Sequence, residues 1–305
     1  MRRAFDTLHR SRVKELTRGI DVDHVFYPWF LGEPVPGTNM TPCTMLVLDR
    51  NWTRFPNNFA QPPRELDSLL NEWMLRTTNV IAISREVATD IKSNWPGLTG
   101  KITVIPLAAS AETSPAQLSP SDEACFYYPA TVSLHKGHAK LLQAAEIVAE
   151  RGLHFKLLLT GHGTDTLAGK ASAAQVKLFK TGIVQGLGYT DLQTVERCYL
   201  RAWAVLLPSL YEGFGLPLAE SIAHGTPVIC SDLAAYREQI DRLQVSDFIK
   251  IVATGDSVAL ADAMVNRIVE GPPTPEERAC IARAAGHWTW RDVAVAYNTL
   301  LCGSN

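Results

Sequence analysis

The chain has 305 residues, 46% of them hydrophobic and 20% charged, which is material for two globular domains of ~100–200 residues each. A formal charge of −2, with no sustained Lys/Arg stripe beyond the N-terminal segment, excludes an extended nucleic-acid surface. No apolar run reaches the ~18 residues that a spanning helix needs, and the N-terminus lacks the apolar core of a secretion signal, so the expected location is the cytoplasm. Six cysteines, at 43, 125, 198, 230, 280 and 302, show no paired metal-ligand spacing and read as reduced core thiols. The Asn39-Met40-Thr41 and Asn51-Trp52-Thr53 triplets are then chance matches to a glycosylation signal.

In chain order, Arg2 to Ile20 carries six Arg/Lys against two acids, with Phe5, Leu8, Val13, Leu16 and Ile20 near one helical face. That face is expected to pack on its own domain; the alternative is peripheral contact with an anionic inner-membrane surface through residues 1–20. Asp21 and Asp23 have the spacing of a metal-binding pair, but two acids before a strand are ordinarily solvated, and no metal is expected. Strands are predicted at His24–Phe30, Thr44–Asp49, Val80–Ser84 and Ile102–Leu107, with helices at Arg64–Thr78 and Arg85–Ser93. Ala109–Glu123, rich in Ser, Pro, Thr and Ala, reads as a linker.

Beyond it a second alternation begins. Strands are predicted at Cys125–Thr131, His154–Thr160, Ile183–Leu187, Ala204–Pro208, Val228–Ser231 and Phe248–Val252. Helices are predicted at Ala139–Glu150, closed by Gly152, at Asp191–Trp203, capped by Thr190, at about 217–224, and at Ser257–Val269, Pro275–Ala285 and Trp290–Leu301. Gly161-His162-Gly163 is a turn.

The stretch around Ser209–Leu216 carries the chemistry. It is a glycine loop between a strand and a helix that has Pro217 at its first position and Gly225 past its end. The amides of Gly215 and Leu216 would lie at the positive end of that helix, where an anion is favoured. Glu212 and Glu220, the latter expected in the first helical turn, can face one cleft at the C-terminal edge of the strand. Two carboxylates there suit two sugar diols, although two acids near a helix start also stabilise its dipole without any ligand.

Glu212-Gly-Phe-Gly-Leu-Pro-Leu-Ala-Glu220, followed by Gly225-Thr-Pro-Val228, resembles the two-glutamate motif of the retaining, family 4 glycosyltransferases of GT-B fold. Lys136-Gly137-His138 is similar to that family's phosphate lysine. The resemblance runs from about Asp21 to the C-terminus and is strong from Phe126 to Asp232. It implies two Rossmann-like α/β domains facing a cleft: an abbreviated acceptor-side domain at 1–112, a donor-binding domain at 113–287, and a helix at 288–305 crossing back to the first, anchored around Trp288-Thr289-Trp290. Leu48-Asp49, Trp52 and Phe55-Pro56 correspond to the family's acceptor-side His-Asp, aromatic and Phe-Pro; Asp49 matches and Leu48 replaces the histidine. Glu212 would hold hydroxyls of the donor sugar, Glu220 the ribose diol, Lys136 the diphosphate, and the backbone near Leu187, Gly188 and Tyr189 the base. The position five residues before Lys136, commonly arginine, is Thr131, so neutralisation would lean more on the amides of Phe214, Gly215 and Leu216, and Thr131 and Gly213 would lie with them on the donor side. Gly161 and Gly163 would let the backbone approach the nucleotide, with His162 near a phosphate; a plain strand-to-helix turn explains the same glycines. His135 and His138 are expected to be surface or capping residues.

The implied activity is retaining transfer from a UDP- or GDP-sugar to a glycan or lipid-linked hydroxyl, by front-face attack, with no metal or other cofactor. Two alternatives keep the fold. One is a nucleotide-sugar-binding subunit completed by a protein partner, suggested by the short N-terminal half and by Leu48; the other is a sugar-nucleotide epimerase.

Overall fold

The computed structural model describes residues 23–30, 42–110 and 120–302. The basic segment 1–20, Asp21, the Asn39 triplet and most of the Ser/Pro/Thr/Ala-rich stretch lie outside them. The chain divides into two compact units, a smaller one up to Pro106 that resumes at Arg291, and a larger one spanning Leu107–Trp290. The division therefore falls before the stretch expected as linker.

In the smaller unit, β1 (Val25–Tyr27), β2 (Cys43–Val47), β3 (Asn79–Ala82) and β4 (Ile102–Val104) form a parallel sheet in chain order. Its helices are α1 (Asn51–Arg54), α2 (Pro63–Arg76) and α3 (Arg85–Asn94). β2 is buried at every position, as a central strand of a parallel sheet covered on both faces is, and its one polar side chain, Thr44, is bonded to His24 at 2.9 Å. β1 stops at Tyr27, short of the expected Phe30, because Pro28 has no N–H for the ladder. The start of α3 is held by Ser84, whose hydroxyl accepts from the Val87 N–H at 3.1 Å.

In the larger unit, strands and helices alternate as β5 (Cys125–Pro129), α4 (His138–Glu150), β6 (Lys156–Thr160), α5 (Ala173–Lys180), β7 (Val184–Gly186), α6 (Leu192–Arg201), β8 (Ala204–Leu207), α7 (Leu216–Ala223), β9 (Val228–Ser231), α8 (Ala234–Leu243) and β10 (Ile249–Val252). α9 (Ser257–Glu270) and α10 (Pro275–Ala284) follow. The six strands are parallel, in the order β10-β9-β8-β5-β6-β7. This is the doubly wound order of a Rossmann sheet, and its direction of winding reverses between β5 and β8. From Arg291 onward α11 (Trp290–Cys302) groups with the smaller unit, where Tyr297 meets Phe26 edge-on with ring centroids 5.5 Å apart.

Several expectations are corrected. The cap of α6 is Asp191, not Thr190: its carboxylate accepts from the Thr194 N–H at 2.7 Å. Pro217 takes the second helical position, since α7 opens at Leu216, and Glu220 consequently sits in the second turn. Dipole stabilisation fades within the first turn, so that explanation loses its hold on Glu220. Three helices, α5, α8 and the four-residue α1, went unpredicted. α5 does carry a readable start, the reciprocal Ser172/Gln175 capping box. α8 has no side-chain cap at Leu233 and a polar-rich sequence, leaving only the buried stripe Ala235, Tyr236, Gln239, Ile240 and Leu243 as a signal.

Candidate functional site

The reversal of winding sends the loops after β5 and β8 to opposite sides of the sheet, opening a crevice at the strands' C-terminal ends. Lys136 comes from the first loop and Glu212 from the second. The two loops are fastened together, with the Leu210 N–H donating to the His135 carbonyl at 2.7 Å. Gly137 makes this approach possible: its φ is +69°, and a Cβ there would lie 2.2 Å from the Pro208 carbonyl oxygen. Tyr128, buried at the end of β5, donates to the Lys136 carbonyl at 2.6 Å and so fixes the lysine's backbone.

The Lys136 ammonium donates to both oxygens of Glu212, at 2.7 and 2.9 Å. The Ser209 hydroxyl also donates to Glu212 Oε1 at 2.8 Å, and the Tyr236 hydroxyl lies 3.5 Å from the same oxygen. The Lys136 side chain is 21% exposed and that of Glu212 9%. Burial, reinforced by the Glu212 charge, raises the Tyr128 and Tyr236 phenols well above their ordinary range, so both remain protonated beside the carboxylate. Burial and then the Lys136 charge lower the His135 imidazole, and burial takes His138 down to about 4, so the two histidines add no positive charge at neutral pH.

Gly215 is the N-cap of α7 with φ +85°, and no side chain caps the helix. A Cβ on Gly215 would fall 2.4 Å from Tyr236 Cε1, so glycine is required both by the backbone and by its neighbour. Gln239 donates from its amide to the carbonyls of Phe214 and Gly215. These bonds hold the loop so that the start of the helix faces the crevice. Phe214 is buried, which makes its side chain a packing residue, while Leu216 is exposed. Glu220 Oε2 accepts from the Tyr199 hydroxyl at 2.6 Å.

On the other flank the ends of β5, β6 and β7 converge. Gly161 donates to the Gly188 carbonyl at 2.8 Å, and the Gly188 N–H donates to Thr164 Oγ1 at 2.9 Å. A Cβ at Gly161 would lie 2.7 Å from the Thr131 nitrogen, so this glycine is needed for loop packing whether or not a ligand approaches. Thr131 is exposed, as are Leu187 and Tyr189, the tyrosine at 90%. Asp49 belongs to the smaller unit, where its carboxylate accepts from the Asn51 N–H at 2.9 Å. Asn51 and Trp52 are buried, which leaves no room for a glycan on that triplet.

Ser209, Tyr128, Tyr199, Tyr236 and Gln239 were not singled out from the sequence. Tyr236 and Gln239 ride on the unpredicted α8. Tyr128 and Tyr199 lie in segments read only as strand and helix. A cavity of about 290 Å³ opens at the opposite edge of the sheet, lined among others by Asp247, Lys250 and Arg267. Its arginine is already committed to the Gly271 carbonyl at 2.6 Å and to Glu270 and Glu277, and it lies away from the converging loops. Among the described residues no group of three or more His, Cys, Asp or Glu could hold a metal ion, and no helix is long and apolar enough to cross a membrane.

A doubly wound parallel sheet with the Lys136–Glu212 pair at its reversal point defines a class: α/β units whose ligand crevice lies at that edge. Within that class the family is given directly by sequence: the model of "Glycosyl transferases group 1" matches residues 110–287, and the chain belongs to this family. Among curated proteins it is 30% identical over 118 residues to the O-antigen chain mannosyltransferase B of Escherichia coli, covering 37% of this chain and 30% of that protein. It is 31% identical over 163 residues to the phosphatidyl-myo-inositol mannosyltransferase of Mycobacterium leprae, covering 52% and 41%. The matched stretches span less than half the length of these relatives. Among solved structures, a glycosyltransferase from Rickettsia africae superposes with a TM-score of 0.73 at 16% identity, covering 97% of this chain and 81% of that one. The Anabaena HepE protein in complex with UDP gives 0.70 at 17% identity, covering 95% and 81%. The architecture is thus GT-B-like, with two Rossmann-like α/β units.

Proposed function

We propose that the chain transfers a glycosyl group from a UDP- or GDP-sugar to an acceptor hydroxyl with retention of configuration, in glycan or glycolipid synthesis. The observation that carries this reading is the Lys136–Glu212 pair beside the uncapped start of α7. A diphosphate bound there would meet one ammonium and the helix's positive end, and a sugar hydroxyl would meet Glu212. In this reading Glu220 takes the ribose diol, the backbone at Leu187–Tyr189 takes the base, Thr131, Gly161 and the Gly213–Leu216 amides line the phosphates, and Asp49 serves the acceptor side. The larger unit is the donor-binding domain and the smaller one the acceptor-side domain.

The reaction breaks the bond between the anomeric carbon and the diphosphate oxygen. It forms the bond to the acceptor oxygen on the same face, and the acceptor proton passes to the leaving diphosphate. Lys136 and the helix start stabilise the charge that develops on that leaving group, with no divalent metal required. A mannosyl donor is suggested by similarity to relatives named as mannosyltransferases, one of them GDP-mannose-dependent, and a lipid-linked acceptor by those named for phosphatidylinositol substrates.

A second reading is favoured by the four-stranded sheet formed by the described residues of the smaller unit and by Leu48 at the family's acceptor-side histidine position: a donor-binding subunit that needs a protein partner. The test is turnover by the purified chain. Release of UDP or GDP from its sugar, dependent on acceptor and Glu212 and insensitive to chelator, supports the transferase. Nucleotide binding without turnover until a partner is added supports the second reading, and loss of turnover with chelator overturns the metal-free mechanism.

A further inference from the structure

Glu220 differs from Glu212 in how it is held. Where Glu212 faces the Lys136 ammonium, one oxygen of Glu220 is engaged by a buried phenol packed on every side. Tyr199 is 1% exposed. Its ring is stacked on His224, with centroids 4.6 Å apart and planes 9° apart, and Tyr127 abuts it edge-on at 4.9 Å. The Tyr127 hydroxyl is in turn bonded to Thr160 at 2.6 Å. At the backbone, Thr226 donates to the Tyr199 carbonyl at 2.8 Å, and the buried Arg278 reaches Thr226 at 3.2 Å. The His224 ring donates from Nδ1 to the Glu220 carbonyl at 2.7 Å, tying the stacked ring to the same residue that the phenol holds. Burial, with the Glu220 charge second, raises the Tyr199 phenol well above its usual range, so it acts only as a donor to the carboxylate.

We propose that Tyr199 is a positioning residue that fixes the plane of the Glu220 carboxylate, and that this fixed plane is what makes the site selective for a ribose diol over a deoxyribose. The inference rests on the donor-site reading above and adds a residue and a selectivity to it. A carboxylate has two oxygens with about four acceptor sites in all. With one site on Oε2 taken by a phenol packed on every side, the remaining sites point in set directions. A ribose supplies two hydroxyls to such a group. A deoxyribose leaves its oxygen unpaired, and the carboxylate cannot turn to find another partner, which is the arrangement that rejects a ligand lacking a hydroxyl. Freed from Tyr199, the carboxylate can rotate away from the diol, and the ribonucleotide loses part of its advantage.

The test uses the full chain and calorimetric dissociation constants for UDP, GDP and their 2′,3′-dideoxy counterparts, on the wild type, Tyr199→Phe, Glu220→Ala and the double variant. The wild type is expected to prefer the ribonucleotide. Tyr199→Phe should lower that preference about tenfold, through weaker ribonucleotide binding with the dideoxy constant nearly unchanged. Glu220→Ala should abolish the preference, and Tyr199→Phe should change nothing further in that background. A core residue of no selective role would weaken both ligands alike, and an intact preference in Tyr199→Phe, with the melting profile unchanged or lowered, overturns the inference while leaving the donor site standing. Failure of the wild type to bind either ribonucleotide overturns the donor-site reading and the inference with it.

Discussion

The loops after β2 and after β8 hold the same place in their own sheets, at the C-terminal end of a central parallel strand, yet they arrange their charges in opposite ways. After β2, Arg50 is 5% exposed and saturated: it reaches both oxygens of Asp67 at 3.0 Å and both of Asp90 at 3.0 Å, and lies over the Trp95 ring at 4.6 Å. Trp52 adds a bond to Asp67 at 2.8 Å, and neighbouring Asp49 accepts from the first turn of its own helix. After β8, the acid is paired with a single lysine from another loop, and the helix start beside it has no side-chain cap. Arg50 gives five donor bonds to two aspartates and holds its loop in place, whereas Lys136 gives two to one carboxylate beside helix amides that no side chain caps, which leaves groups a ligand can engage. In the proposed function the edge after β8 engages the donor, while the charge of Arg50 after β2 is used in holding the loop.

Breaking the Arg50 cluster should have the largest effect. Arg50→Met removes the cation between two aspartates and should destabilise the smaller unit by about 3–5 kcal/mol, seen as an early unfolding transition in denaturant, with nucleotide affinity little changed. Breaking the Lys136–Glu212 pair should do the reverse: Glu212→Ala should lower transfer by about 100- to 1000-fold, a loss of ~3–4 kcal/mol in the transition state, with the fold retained.

A third prediction concerns pH. Burial holds the His138 imidazole at about 4 against an ordinary 6.5, so the unfolded chain binds more protons between those values. Stability from this group is complete above pH 6.5 and falls as pH drops toward 4, by about 3 kcal/mol in total. His138→Gln should flatten that part of the pH profile in thermal melts, and an unchanged slope would contradict the assignment. Gly215→Ala forces a side chain into a left-handed backbone conformation against Tyr236 and should cost about 2 kcal/mol in stability and weaken nucleotide binding. Smallest is the cap of α6: Asp191→Ala should cost about 1 kcal/mol in thermal stability, and Thr190→Ala less than half of that.

The same contrast explains what could be read in advance. The strands of the larger unit and the stretch Glu212–Glu220 were legible because a buried parallel strand, a glycine loop and a proline-led helix each leave local marks. Glu220 was placed in the first turn because the helix was expected to open at Pro217; it opens one residue earlier, at Leu216, after the left-handed Gly215. Tyr199, Tyr236 and Gln239 act through contacts 21 to 25 positions away in sequence, and no local spacing encodes those. Arg50 was missed for the same reason: its two aspartates lie on α2 and α3, brought together only by the sheet. The reversal of winding between β5 and β8, which joins Lys136 to Glu212, is likewise a property of strand order and not of any segment.

The central claim is that the crevice between the loops after β5 and β8 binds a nucleotide sugar through Glu220. Thermal denaturation of the full chain with a panel of UDP- and GDP-sugars, repeated on Glu220→Ala, tests it most directly. A sugar nucleotide at 100 times its dissociation constant should stabilise the wild type by about 2.7 kcal/mol, with one base preferred and the stabilisation lost in the variant. No stabilisation by any sugar nucleotide, or one that survives in Glu220→Ala undiminished, would contradict it.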